Sequence, residues 1–142
     1  MFVGLLALTL AAVYAGAALY NNLVEQPARL SLDDDAMMAE WKPSDRRGFA
    51  FMGAVALLSA ICGVAAFHDT LDVRWLAGAI VAIASWPYAF FVIVPFNNRL
   101  LAAGAAKGSP DARLLIRDWG VLAWGLSAIG VVATGTFLWA LA

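Results

Sequence analysis

The amino-acid sequence predicts an all-α membrane fold: four transmembrane helices in an up-down bundle, forming a single domain over residues 1–142. The chain is 63% hydrophobic and 13% charged, roughly half the charged fraction of an ordinary soluble domain. Its charged residues avoid four windows of about 20 residues, the length that crosses a bilayer as a helix. These windows are Phe2–Tyr20, Gly48–Phe67, Val73–Val94 and Trp119–Leu141. Basic residues cluster between windows one and two and between windows three and four.

The first predicted helix covers about residues 2–25 and is rich in alanine and glycine, which let helices approach closely in lipid. Residues three and four apart are neighbours on a helix, so one stripe of polar and small side chains follows its side. This stripe consists of Tyr14, Ala18, Asn21 and Glu25. Pro27 disfavours helical angles at the preceding residue, so we expect this helix to stop near Glu25.

The segment that follows, Ser31–Lys42, has the pattern of a short separate helix capped by Ser31 or Asp33. Its methionines and Trp41 are expected to rest on the membrane interface. The second transmembrane helix is predicted over about residues 46–67, with a new start at Pro43 and a cap from Ser44 or Asp45.

The third predicted helix, about residues 73–96, contains two prolines. Pro87 leaves the carbonyl of Ile83 without its usual donor, so we expect a kink near the middle of the membrane. The kink either opens a cavity beside Trp86 or serves only for packing, and the sequence leaves both open. Pro95 loosens the end of this helix, just before Asn97 and Asn98.

The fourth helix is predicted over about residues 110–141, because Ser109-Pro110-Asp111 has the cap, proline and acid of a helix start. Its glycines recur every five residues, a spacing that winds around a helix instead of marking one face. Tryptophans near the window ends, which are typical of interface anchors, are Trp41, Trp119, Trp75 and Trp139.

The two halves of the chain resemble each other. Residues 1–67 and 73–142 both read as a helix, an Asn-Asn pair, a basic loop and a returning helix. Both hairpins run in the same sense, so a repeat would be parallel, about an axis along the membrane normal. Such a repeat would bring the two Asn-Asn pairs close together.

The distribution of basic residues predicts the orientation of the protein. Eight of the nine lysines and arginines fall in the two loops that share one face, and only Arg74 lies on the other. The positive-inside rule makes that basic face cytoplasmic. We therefore expect a multi-pass protein of the inner (cytoplasmic) membrane with both termini outside the cytoplasm. A single cysteine, Cys62, excludes an internal disulfide.

The sequence contains no spacing of a zinc, haem or iron–sulfur site, no phosphate loop and no dinucleotide fingerprint, so it predicts no metal and no cofactor. Polar side chains at the end of a membrane helix are costly, and they mark candidate sites. The candidates for substrate binding are Tyr20, Asn21, Asn22, Arg29, Trp86, Asn97, Asn98 and Arg99.

Glu25 is the candidate catalytic residue among the polar side chains. A partly desolvated carboxylate can take a proton from an acidic C–H or O–H, while an arginine and amides hold the resulting anion. The alternative is structural: Glu25 pairs with Arg29 or Arg99 and ties the helix ends together. The residues alone leave both readings open.

These residues occur in stretches through which the chain resembles the anthrone oxygenase-like family of small four-helix membrane proteins. The stretches are VEQPARL at Val24–Leu30, EWKPSDRRGFA at Glu40–Ala50, WPYAFFVIVPFNNRLL at Trp86–Leu101, and Arg117 followed by DWG to Gly120. The resemblance implies the fold predicted above and, from fungal members, the oxidation of anthrones to anthraquinones without an obvious metal or flavin motif. Residues that carry over with it are Glu25, Arg29, Trp86 and Asn97, together with the structural residues Pro27, Pro87, Pro95 and Trp119.

The chain also departs from the family pattern inside its helices. Relatives tend to have polar residues at five positions that are apolar here, and a polar group inside a membrane helix would face a cavity. The five positions are Met52, Ala89, Phe96, Ala123 and Leu126.

Two functions from different classes follow. The first is a cofactor-independent oxygenase that acts on an aromatic or quinone-like molecule at the cytoplasmic end of the bundle, using Glu25, Asn21, Asn97 and Arg99. The second is a non-catalytic small membrane subunit that packs against partner membrane proteins. The expected partners are the lipid bilayer, a hydrophobic aromatic small molecule, and a second copy or another membrane protein. No feature indicates a nucleic-acid partner.

Overall fold

The structure is a computed structural model that describes residues 1–105 and 111–142. Over these residues it has four helices that are long and apolar enough to cross a membrane, as the sequence predicts, and the protein is a multi-pass membrane protein. The expected start of the last helix at Ser109-Pro110 lies outside the described residues. The helices are α1, Phe2–Leu30; α2, Asp34–Thr70; α3, Val73–Gly104; and α4, Asp111–Leu141.

The four helices form a ring in which α1 packs against α2 and α4, and α3 packs against the same two helices. The end of the bundle that carries the two basic loops is here called the basic end. At this end Arg113 on α4 binds the loop between α1 and α2. Its guanidinium donates to the carbonyl oxygens of Leu30 (2.8 Å) and Leu32 (2.6 Å) and to the Asp34 carboxylate (2.7 Å). The basic connections therefore share one end of the bundle.

Helix α1 does not stop at Glu25 as expected from Pro27. It passes through a π-helical turn at Asn21–Glu25, in which the N–H of Gln26 donates to the carbonyl oxygen of Asn21. An α-helical segment, Gln26–Leu30, then resumes with Pro27 in its first turn, where no N–H donor is required. The wider turn thus carries the helix past the proline, one turn beyond the predicted end.

Helix α2 is also longer than predicted, because the expected short helix and the second transmembrane helix are one continuous helix. Asp33 caps it by accepting from the N–H of Ala36 at 2.8 Å, and neither Ser44 nor Asp45 is a cap. Pro43 lies inside the helix, with Pro43 and Ala39 both exposed, so water can satisfy the Ala39 carbonyl that lacks its donor.

Helix α3 is irregular just before each of its two prolines, as the sequence predicts. An interruption at Ala84 precedes Pro87, and a second π-helical turn at Ala89–Ile93 precedes Pro95. When the two halves of the chain are aligned on their π turns, they match differently from the alignment suggested by the Asn-Asn pairs. This alignment pairs Tyr20 with Tyr88, Val24 with Val92, Pro27 with Pro95 and Arg29 with Asn97.

Three of the four tryptophans expected to anchor the protein at the membrane interface are buried instead. Trp41 is 1% exposed and Trp119 5% exposed, and the two rings meet edge to face at 6.3 Å. Met37 and Met38 are buried with them, so the segment before the second membrane window folds into the bundle and does not rest on lipid. Trp75 is buried near the opposite end, and only Trp139 is exposed. Trp75 fills room left by Gly4 of α1, where a Cβ would lie 2.4 Å from its ring.

The glycines of α4 face different neighbours, as their five-residue spacing predicts. A Cβ at Gly120 would meet Gln26 of α1, and one at Gly125 would meet Tyr88 of α3. At Gly130 a Cβ would lie 2.9 Å from the Cα of Ala15, so glycine is needed at this close approach of the α1 and α4 backbones. Gly135 faces open space.

Candidate functional site

A cavity of about 830 Å³ lies inside the basic half of the bundle. The predicted stripe of α1 faces it, because Tyr14, Ala18, Asn21 and Glu25 all line it. The α2 segment from Pro43 to Ala54 forms a second wall. The irregular part of α3 around Trp86 forms a third wall, so the interruption before Pro87 borders a cavity. Both π turns contribute lining residues, which places the two widened helical turns on its walls.

Most of the cavity wall is apolar and much of it is aromatic. Phe49 and Phe90 meet edge to face at 6.1 Å, and Trp86 meets Phe90 at the same distance. Trp86 is fixed by donating its indole N–H to the carbonyl oxygen of Gly53 at 3.1 Å. Of the five apolar positions at which the sequence analysis expects polar residues in relatives, four line this cavity: Met52, Ala89, Ala123 and Leu126. Phe96 packs against a neighbouring core cluster instead.

The end of the cavity nearest the basic loops is polar. Three carboxylates line it, those of Glu25, Glu40 and Asp45, together with the hydroxyl of Ser44. They come from the end of α1 and from the long first part of α2. The earlier start of α2 therefore supplies Glu40, Ser44 and Asp45 to this polar end, and Glu25 comes from the predicted end of the first helix.

Arg29 stands behind the polar end with a side chain that is 1% exposed. Its guanidinium binds the Glu40 carboxylate through Nε and Nη2, and it donates to Gln26 Oε1 at 2.8 Å and to Ser44 Oγ at 3.2 Å. It also lies over the ring of Trp119, 5.5 Å from the centroid. Burial of an unpaired cation would be very costly, so Glu40 compensates Arg29 directly.

Glu25 makes weaker contacts. Its Oε2 lies 3.7 Å from Arg29 Nη2 and accepts from Ser44 Oγ at 3.2 Å, and its side chain is 38% exposed. The expected ion pair with Arg29 is thus present but long. The closer partner of Arg29 is Glu40, which belongs to a different helix.

Asp45 is the last acceptor in a chain of two hydrogen bonds that is separate from the hydrogen bonds of Arg29. Its Oδ2 accepts from Asn97 Nδ2 at 2.8 Å, and Asn97 Oδ1 accepts from the indole Nε1 of Trp119 at 2.8 Å. Because an indole N–H can only donate, it fixes which side of the Asn97 amide faces Asp45. This chain crosses three helices, from α4 through α3 to α2.

The predicted site residues fall into three groups. Those that line the cavity are Glu25, Tyr20, Asn21, Trp86 and Trp119. Arg29 and Asn97 are buried just behind the polar end and hold lining carboxylates. Outside it are Asn22, which donates to Ser127 at 2.7 Å within the bundle, and the exposed Asn98 and Arg99. The two Asn-Asn pairs therefore do not form one site in the structure.

Sequence reasoning did not identify Glu40, Ser44 and Asp45 as members of the site. The sequence pattern instead assigns Glu40 to a short separate helix and Ser44 or Asp45 to a helix cap, because Pro43 indicates a boundary between two helices. A signal was present: all three lie in the stretch EWKPSDRRGFA, one of those that carry the family resemblance. In the part of the chain that the structure describes, no group of three or more His, Cys, Asp or Glu side chains is arranged to hold a metal ion.

Comparison with known proteins supports the resemblance drawn from the motifs. The model of the family described as Anthrone oxygenase matches residues 41–136, which include most of α2, all of α3 and most of α4. No curated protein and no solved structure matches the chain.

Proposed function

The chain belongs to the anthrone oxygenase family, and from this premise we propose that it oxidises an anthrone- or quinol-type aromatic substrate with dioxygen in the cavity. The observation that carries the proposal is the combination of an aromatic cavity with carboxylates at one end. Its volume falls within the range of about 300–1,000 Å³ that is usual for small-molecule pockets. Flat aromatic rings fit walls made by Phe49, Trp86 and Phe90.

The chemistry needs a base and oxygen, and it can proceed without a cofactor. With an anthrone as the substrate, a carboxylate takes a proton from the acidic CH₂ group, and the resulting anion gives one electron to O₂. The substrate radical and superoxide then combine, forming a C–O bond, and the peroxide takes up the proton. The hydroperoxide then loses water, which takes the remaining hydrogen of the former CH₂ carbon, and a carbonyl is left. The CH₂ carbon loses four electrons and O₂ gains four, with one oxygen atom in the product and one in water. Glu25 is the base that the sequence predicts.

The substrate would enter from the bilayer. Phe51 and Phe90 line the cavity and are 52% and 51% exposed, and both lie in apolar stretches of membrane helices. A lipid-soluble aromatic molecule can therefore reach the cavity without crossing the basic end.

Blocking the cavity should abolish the activity. We expect Gly53→Leu to lower the rate of oxygen uptake with anthrone by at least about tenfold, the equivalent of about 1.4 kcal/mol. Gly53 lines the cavity and a Cβ there meets nothing within 4 Å, so the leucine side chain can occupy substrate space without displacing neighbours. The rate is measured with an oxygen electrode on the full chain in nanodiscs, after subtraction of the spontaneous oxidation of anthrone.

Gly16→Leu is the matched control, because Gly16 also faces open space but does not line the cavity. Its rate should stay within about twofold of wild type. Wild-type protein that binds anthraquinone, as followed by quenching of tryptophan fluorescence, but consumes no oxygen would contradict the oxygenase. That result would favour the non-catalytic subunit, in keeping with the apolar Met52, Ala89, Ala123 and Leu126 on the cavity wall.

We also propose that the basic end faces the cytoplasm in the inner membrane and that both termini lie outside. The support is the positive-inside rule applied to the loops that meet at Arg113. In a Cys62→Ala background, a membrane-impermeant maleimide added to intact cells should label Asp69→Cys and should label Asp35→Cys only after lysis. Both native side chains are exposed. The reverse pattern would overturn the orientation.

A further inference from the structure

We propose that Asp45, held by Asn97 and Trp119, is the proton acceptor of the cavity. This inference rests on the proposed oxidation and changes the residue that performs its first step. It differs from the sequence prediction, which selects Glu25.

The first argument is the pairing of the three carboxylates. Protonation of Glu40 would remove the charge that compensates Arg29, and leaving a buried cation without its partner typically costs several kcal/mol. Glu25 also borders Arg29, at 3.7 Å, and accepts from Ser44. Both carboxylates are thus engaged in holding a buried guanidinium and its hydroxyl neighbour.

Asp45 has a different environment. In the described part of the chain no cationic side chain lies within ion-pair distance of it, and its hydrogen-bond partner is the neutral amide of Asn97. Arg29 acts on Asp45 electrostatically from a greater distance, without pairing with it. It can therefore accept a proton without breaking an ion pair. A base needs this property, because it must become neutral during the reaction.

The second argument is geometric. The indole N–H of Trp119 holds the Asn97 carbonyl oxygen, and the Asn97 N–H holds Asp45 Oδ2. Asn97 is 8% exposed and Trp119 5% exposed, and Trp119 is itself packed against Trp41 and Arg29. The carboxylate is thus fixed by side chains that have little freedom to move. A fixed base reacts faster than a mobile one, because orientation is established before the reaction.

The third argument is the position of Asp45 in the cavity wall. Asp45 and Phe49 are four residues apart on α2, so they share one face of the helix, and both line the cavity. An aromatic substrate stacked against Phe49 therefore lies on the same face of α2 as the Asp45 carboxylate. The step is a proton transfer: the substrate C–H bond breaks, its electron pair stays on carbon, and the proton forms an O–H bond on Asp45. Dioxygen then oxidises the carbanion as described above.

The test compares Asp45→Asn with Glu25→Gln in nanodiscs, using anthrone and an oxygen electrode. We expect Asp45→Asn to lower kcat by about 100-fold, the lower part of the range for loss of a general base, with anthraquinone binding within about twofold of wild type. Glu25→Gln should retain at least about one third of the wild-type kcat. Asp69→Asn is the control for the loss of one carboxylate, because Asp69 is exposed at the opposite end of the bundle from the cavity.

Two further variants separate catalysis from structure. Asp45→Glu keeps a carboxylate and should recover at least about tenfold over Asp45→Asn. Trp119→Phe keeps a ring beside Arg29 but removes the donor that orients Asn97. It should lower kcat more than it changes KM and shift the pH of half-maximal rate.

The outcomes distinguish the two proposals. An active wild type with a fully active Asp45→Asn variant overturns the role of Asp45 and leaves the oxidation standing. A loss of kcat in Glu25→Gln alone returns the role to Glu25. A wild type that consumes no oxygen above the spontaneous rate overturns the oxidation, and the role of Asp45 with it.

Discussion

Replacing Arg29 with methionine is expected to lower the free energy of unfolding by about 3 kcal/mol, the low end of the cost of breaking a buried ion pair. Arg29 has a 1% exposed side chain and joins α1 to α2 through Glu40 and Ser44. Its removal leaves the Glu40 carboxylate without its cation. Glu40 is itself 36% exposed, so water recovers part of the loss, and the lower figure is the appropriate one. Reversible unfolding by sodium dodecyl sulfate, followed by circular dichroism, measures the change.

The matched control is Arg99→Met, which removes an exposed arginine from α3 and should change stability by less than about 0.5 kcal/mol. Glu40→Gln completes a double-mutant cycle. If the ion pair carries the effect, the two changes together cost less than the sum of each alone, with a coupling of at least about 1 kcal/mol. Equal stability of Arg29→Met and Arg99→Met would show that Arg29 does not hold the helices together.

At the opposite end of the bundle, Phe137→Ala should lower the free energy of unfolding by about 3 kcal/mol. Phe137 is fully buried and packs against Trp75, with ring centroids 5.9 Å apart. Its ring also fills the space left by Gly63 and Gly78, where a Cβ would clash with it. Truncation leaves a void that rigid neighbouring helices cannot close.

Leu138→Ala is the control one residue away, because Leu138 is 53% exposed on the lipid side and should cost less than about 1 kcal/mol. The contact with Gly78 supplies a second check. Gly78→Ala should destabilise the wild type through overpacking, yet it should be tolerated or beneficial in the Phe137→Ala background. If Gly78→Ala has the same effect in both backgrounds, the assigned packing is wrong.

The sequence predicted the four membrane helices and the family correctly, and the pattern of residues explains why. A stretch of about 20 apolar residues has few alternatives to a spanning helix, since its backbone must satisfy its hydrogen bonds internally. The stripe from Tyr14 to Glu25 was also predictable, because helical periodicity continues through Asn21 into the cavity wall. Three of the four motifs that resemble the anthrone oxygenase family lie in the region that the family model matches, apart from Glu40 at the start of one of them, whereas VEQPARL at Val24–Leu30 precedes that region.

The ends of the helices were not predictable in the same way. Pro27 and Pro43 argued for breaks, but a π turn carries α1 past the first, and α2 continues through the second on its exposed side. Local propensity marks proline as a helix end, whereas packing against neighbouring helices outweighs that cost. The difference has a consequence, because the extended start of α2 carries Glu40, Ser44 and Asp45 into the polar end of the cavity.

The sequence by itself therefore determined the class of protein. The length of the apolar stretches, the distribution of basic residues and the local motifs depend only on the order of residues along the chain. What only the tertiary structure decided is which side chains share a partner. Arg29 pairs more closely with Glu40 than with Glu25, although Glu25 is nearer to it in the sequence, and Asn97 donates to Asp45 and does not contact Asn21 or Asn22. These choices depend on the rotation of each helix about its axis. Two π turns shift that rotation by amounts that no residue spacing records.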